Sequence, residues 1–193
     1  MNAIQEYWFD VHGDNHPPGY TPSVVTMIWG GKGANGTWFT ANPEMVHGIN
    51  WLPFHGGSLY LGAYPDYVRK NYAALVRENK GAAWREWPDL IWMYLALVDP
   101  RDALAQFNAH ESTFKPEAGN SKANTYYWLH SLNDLGQVQR GITADYPLYA
   151  CFRKGPVTSY VVYNMESQAR TVTFSDGTAV QAARKGFFIQ RAR

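Results

Sequence analysis

Hydrophobic and polar positions change rhythm twice along the chain. Up to residue 62 there is little helical period, and Gly, Pro, Asn and Trp are frequent. Ser23 to Trp29 (SVVTMIW) reads as a strand on its β-branched content and runs into a glycine-rich loop, Gly30 to Gly36. Trp38 to Gly62 mixes Pro and Gly with large apolar residues, which predicts an ordered loop system with short helical turns. From 63 to 136 the period is helical. Asp66 to Asn79 sets Val68, Tyr72, Leu75 and Val76 on one face, with Gly81 after its end. Pro88 opens a second helix whose body, Leu90 to Val98, is apolar all round and therefore buried. Asp99 is an N-cap before Pro100, with Asp102 in the first turn of a third helix ending near His110. Ser121 caps a fourth, which runs through Trp128, Leu132 and Leu135 to Gly136.

From 146 to 193 the period becomes two. Leu148 to Arg153, Val157 to Tyr163, Arg170 to Phe174, Thr178 to Ala182 and Phe187 to Gln190 read as strands. Lys154-Gly155-Pro156 and Asp176-Gly177 mark turns between them. No repeat, low-complexity tract or flexible linker interrupts the pattern. The expectation is an α+β chain, with helices over roughly 63–136 and a C-terminal antiparallel sheet.

Composition narrows the function classes. The 193 residues include 13 Tyr, 9 Phe and 8 Trp, while charged residues are only 17%, against about 25% in an ordinary domain. The net charge of +1 gives no field for nucleic acid or an anionic membrane. Cys151 is the single cysteine, which rules out a disulfide framework or a Cys-based zinc site within the chain. Met1 to Asp10 does not read as a signal peptide, and the longest apolar run, Leu90 to Val98, is too short to span a bilayer.

Several constellations invite chemistry and fail on inspection. His12, Asp14 and His16 fall within five residues, but no further His pair or acidic cluster completes a metal set, and a polar turn before Pro17-Pro18 is the better reading. Gly30-Gly31-Lys32-Gly33 lacks the G-x-x-x-x-G-K-[ST] frame of a phosphate loop. His55-Gly56-Gly57-Ser58 has Tyr60 where a nucleophile elbow needs Gly. Cys151, inside a strand, reads as a small core residue. Asn35-Gly36-Thr37 fits a glycosylation acceptor pattern. No cofactor or metal is expected.

The aromatic and amide residues carry more. Sugar rings present C–H faces that pack on aromatic rings and hydroxyls that pair with Asn, His, Asp and Glu. Trp38, His47, Asn50 and Trp51 form one such group, and Asn124, Tyr126, Tyr127, Trp128 and His130 another. Helical period alone also allows Tyr127 and Trp128 to be core.

Met45 to Gly62, M-V-H-G-I-N-W-L-P-F-H-G-G-S-L-Y-L-G, resembles the H-G-I-N-x-L-P…S-L-Y-L-G signature of glycoside hydrolase family 81, the endo-β-1,3-glucanases or laminarinases. Ala3 to Phe9, Val24 to Gly30, Thr37-Trp38-Phe39, Lys122 to His130 and Tyr146 to Tyr149 resemble the family too, in family order. Phe54-His55-Gly56-Gly57 departs from it.

The resemblance implies that residues 1–145 are the C-terminal part of an (α/α)6-barrel catalytic domain. Residues 146–193 would be the antiparallel strands closing the module. It implies inverting hydrolysis of β-1,3-glucan, with Trp38, Glu44, His47, Asn50, Trp51, Asn124, Tyr126 and His130 as substrate-binding residues. The family's acid motifs, D-G-H-S-W-A-like and E-S-S-S-E-A-like, are not in these 193 residues. By family order they belong before Met1, so no catalytic residue is assigned. Glu44 could bond a sugar hydroxyl or cap the turn after Pro43, and neither it nor Asp14 is assigned as acid or base. The expected partners are a β-1,3-glucan and the N-terminal part of the same enzyme, in an extracellular setting. The alternatives are a non-catalytic β-glucan-binding module or an inert structural fragment.

Overall fold

The computed structural model describes residues 40–193. Thus Asp14 and the His12–His16 turn, the strand expected at 23–29, the 30–36 loop, the Asn35 acceptor pattern and Trp38 lie outside the described residues. Two compact units divide at Asn133/Asp134.

The first unit is helical. After α1 (Pro43–Gly48) and a 3-10 segment (Gly56–Ala63) come α2 (Pro65–Glu78), α3 (Pro88–Leu95), α4 (Pro100–His110) and α5 (Lys122–Leu135). The caps follow the residues. The Asn42 side chain accepts the Glu44 N–H at 2.8 Å, Asp99 accepts that of Asp102 at 3.0 Å and Ser121 that of Asn124 at 3.0 Å. Each satisfies a donor that the first helical turn leaves free. Proline stands in the first turn of α1 to α4, where its missing N–H costs nothing.

Helix α3 is the centre of this unit. All eight of its residues are buried, and α1, α2 and α4 all pack against it. Leu90, Ile91, Met93 and Leu95 each contribute about 1.5–3 kcal/mol by leaving water. The face of α2 that enters the core is Tyr67, Val68, Asn71, Ala74 and Leu75. Tyr72 and Val76, expected on that face, are only half-buried, because the stripe is centred about one residue away. The HGGS loop is structural. Ser58 is buried and its hydroxyl donates to Pro53 O at 2.9 Å. The His55 N–H donates back to that hydroxyl, and Gly57 N–H donates to His55 Nδ1.

The second unit is an antiparallel four-stranded sheet with a two-stranded ribbon. The sheet has the order β1 (Gln137–Val138), β2 (Tyr149–Lys154), β3 (Val157–Asn164) and β6 (Gly186–Ala192). The ribbon pairs β4 (Arg170–Thr173) with β5 (Ala179–Ala182). Register sets Cys151 opposite Tyr160 and Val162 opposite Phe188. Strand alternation then gathers Cys151, Tyr160 and Val162 into one core with Val172, Val180, Ala182 and Phe174. Cys151 is therefore a core residue, as its strand position suggested. Gly136 ends α5 at φ 86°, and a Cβ there would lie 2.2 Å from Arg153 O. Only glycine fits that approach.

Candidate functional site

The residues expected to meet substrate fall into two groups with opposite surroundings. Glu44, His47, Asn50 and Trp51 come from α1 and the turn after it, and all four are buried. Glu44 neither caps its own turn nor faces solvent. Its Oε2 accepts the backbone N–H groups of Arg85 at 2.9 Å and Glu86 at 2.7 Å, tying α1 to the 80–87 strap. His47 Nε2 lies 3.0 Å from Glu78 Oε2, and its Nδ1 is 3.4 Å from Asn71 Oδ1. Asn50 donates to Val46 O at 3.0 Å. Trp51 is fully enclosed and stacks on Tyr94, with ring centroids 4.0 Å apart and planes 6° from parallel. Such a pair adds about 0.5–1.5 kcal/mol beyond its buried area. Both of its faces are inside the protein, so the ring presents none of its surface to a ligand in this conformation.

The second group stands on α5. Tyr126 is 42% exposed and Tyr127 68%. His130 packs against Tyr126 with centroids 4.1 Å apart, one helical turn along, where i and i+4 side chains meet. Phe107 of α4 backs Tyr126 edge-on at 6.3 Å. Asn124 donates to Phe54 O at 3.1 Å and to Asn120 Oδ1 at 2.8 Å. Trp128, on the opposite face, is core, and its indole N–H donates to Met93 O at 2.9 Å. The helix thus divides the aromatic run: Trp128 goes inward, while Tyr126 and Tyr127 go outward.

Asp89 was not legible as a key residue. It is fully buried at the start of α3 and accepts Glu117 N–H at 3.0 Å and Asn120 Nδ2–H at 2.6 Å. Asn120 also donates to Thr125 Oγ1 at 3.1 Å and accepts from Asn124. A single buried carboxylate therefore anchors the loop that positions the exposed face of α5. Its partners lie 28 and 31 residues away, beyond any local motif. Burial pushes the carboxyls of both Asp89 and Glu44 above their ordinary values. A raised carboxyl can mark a general acid, but a general acid must reach its substrate. The oxygens of these two face N–H groups of the protein itself.

A helical unit with two exposed tyrosines on its last helix, followed by an antiparallel sheet, sets the fold, and the family follows from comparison. Residues 1–129 match the glycosyl hydrolase family 81 C-terminal domain, and the chain belongs to glycoside hydrolase family 81. It is 43% identical over 179 residues to a glucan endo-1,3-beta-D-glucosidase of Thermobifida fusca, covering 93% of this chain and 24% of that protein. A glucan endo-1,3-beta-D-glucosidase of Acetivibrio thermocellus is 42% identical over 177 residues, covering 92% and 22%. A solved family 81 glycoside hydrolase from Clostridium thermocellum superposes with a TM-score of 0.88 at 39% identity, over 99% of this chain and 26% of that one. The chain spans about a quarter of the length of these relatives.

Proposed function

We propose that this chain is the C-terminal part of the catalytic module of an extracellular endo-β-1,3-glucanase. In this reading residues 1–145 supply part of an (α/α)6 barrel and 146–193 the closing sheet. Asn124, Tyr126 and His130 touch glucan. Glu44, His47, Asn50 and Trp51 hold the wall behind them, and Trp38 belongs to the same substrate-binding set. Hydrolysis is inverting: one carboxylic acid protonates the leaving oxygen and a second carboxylate activates water across the bond. That pair comes from the N-terminal part of the enzyme, since the family's two acid motifs do not occur among these residues. Relatives named as glucan endo-1,3-β-glucosidases at 42–43% identity support the substrate. The single observation that supports the contact face is the outward pair Tyr126 and Tyr127 beside His130 on α5.

The purified 193-residue chain is expected to release no reducing sugar from laminarin, yet to be retarded in a laminarin-containing gel. Hydrolysis by the chain, lost on mutating Glu44, would overturn the catalytic part; an unretarded band would overturn the contact face. Exposed tyrosines on a chain without the acid motifs also favour a second reading, a β-glucan-binding module with no chemistry. Adding the N-terminal part of a family 81 enzyme separates the two, because only the first regains hydrolysis.

A further inference from the structure

Residues 80–87, between α2 and α3, form a strap held from both ends. Lys80 and Trp87 are left-handed at φ 56° and 51°, conformations that non-glycine residues hold only when surroundings fix them. The fixings are present. Asn79 Nδ2 donates to Ala82 O at 3.1 Å, and Glu44 takes the Arg85 and Glu86 N–H groups. Gly48 leaves room for the Trp87 ring, which a Cβ would approach to 2.9 Å.

The strap presents Trp84, and its ring is aimed by Gln106 on α4. Gln106 Oε1 accepts the indole N–H of Trp84 at 3.1 Å and that of Trp92 at 3.2 Å. Its amide donates to Asp102 Oδ2 at 3.0 Å. One side chain therefore locks two indoles. Trp84 is half-buried and borders two cavities, of about 400 and 280 Å³, that share Trp84, Trp92 and His110. His110 is exposed and lies parallel to Trp92, with planes 4° apart. Tyr72 and Gln106 close the larger cavity; Arg85, Thr113 and Lys115 rim the smaller. None of Asn124, Tyr126 and His130 lines either one.

We propose that this groove is a second sugar-binding site, which takes a short segment of neutral β-glucan with a ring against Trp84. Fixed aromatic walls lower the ordering cost of binding. Cavities of a few hundred cubic ångströms that set aromatic walls beside convergent polar groups are a usual form of small-ligand site. Arg85 and Lys115 rim only the smaller cavity, and among the described residues the lining of the larger carries no Asp, Glu, Lys or Arg, which suits neutral hydroxyls rather than an anion. His110, Thr113 and Lys115 supply hydrogen-bonding partners for them. The choice of glucan rests on the family reading; the existence of the site rests on the strap and on Gln106.

The test is an NMR titration of the 193-residue chain with laminaritetraose, following the indole N–H signals, with that of Trp84 assigned from Trp84→Phe. The Trp84 signal is expected to shift saturably, and His110→Ala to weaken that shift at least about tenfold while leaving Tm unchanged. Because His110 is exposed, this variant keeps the test valid even if changes at Trp84 disturb folding. Tyr126→Ala should leave the Trp84 titration intact. A Trp84 signal unmoved at saturating sugar overturns the second site while leaving the α5 face standing. So does a shift abolished by Tyr126→Ala, which would mean one site rather than two. A His110→Ala titration equal to wild type also overturns it.

Discussion

The α1 group and the α5 group are built from the same kinds of residue, yet one is core and the other surface. Glu44, His47, Asn50 and Trp51 are buried in the first unit, where Glu44 bonds the strap, His47 meets Asn71 and Glu78 of α2, and Trp51 stacks on Tyr94 of α3. Tyr126, Tyr127 and His130 share a face of α5 on which both tyrosines are exposed, with Phe107 of α4 backing Tyr126. Aromatic and amide content alone does not separate a sugar-facing surface from a polar-lined core. What separates them is burial against other elements, which brings Glu44 and His47 to partners 24 to 42 residues away. Glu44 illustrates the inward case: its partners lie 41 and 42 residues away, and they convert a candidate sugar ligand into a tie between elements.

The largest test of this contrast is Trp51→Ala against Tyr126→Ala. Removing a fully buried indole stacked on Tyr94 should cost about 3–5 kcal/mol, read as a lower denaturation midpoint. Tyr126→Ala should stay within about 1 kcal/mol, since much of its ring is already in water. Equal losses would break the division between the two groups.

Asp89→Asn should follow, at about 1–3 kcal/mol, because the new amide sets a donor against the Glu117 N–H or the Asn120 amide. Its pH dependence sharpens the assignment. Burial raises the folded-state carboxyl above its ordinary 3.8, so the folded state holds the proton more tightly than the unfolded one. That stabilisation is complete below pH 3.8 and is lost as pH rises through the folded-state value. The cost of Asp89→Asn should therefore be larger at pH 3.5 than at pH 7 in paired melts. A cost that grows with pH would contradict the burial account.

Asp176 runs the other way. The Tyr160 hydroxyl donates to it and holds its carboxyl below the ordinary value. Its contribution is present above pH 3.8 and is lost as pH falls through the folded-state value. Tyr160→Phe should therefore cost more stability at neutral pH than at acid pH, where the contribution is already gone, checked by the same melts.

Much of the fold was legible because its signals are local. Pro88, the Asp99-Pro100 pair, Ser121 and Gly136 bound their helices by caps and turns that act within four residues. The strands around Cys151 and Tyr160 announced themselves by alternation and by Asp176-Gly177. The two-residue strand Gln137–Val138 did not, being too short to carry a period. It pairs with Arg153 and Phe152 through register alone. The candidate site was less legible. Tyr126 and His130 were visible as residue types, but their exposure, and the core fate of Trp128 one residue beyond Tyr127, depend on which face of α5 packs inward. Asp89, Gln106 and the Trp84 strap act through partners 14 to 42 residues distant, a range at which spacing says nothing.

The most direct test of the account is affinity electrophoresis of the wild-type chain and Tyr126→Ala through gels of increasing laminarin concentration. The account predicts that wild type is retarded in proportion to laminarin, and that the variant, folded by its melting curve, binds about tenfold more weakly, a difference of about 1.4 kcal/mol. Equal mobility of the two proteins at every laminarin concentration would contradict it.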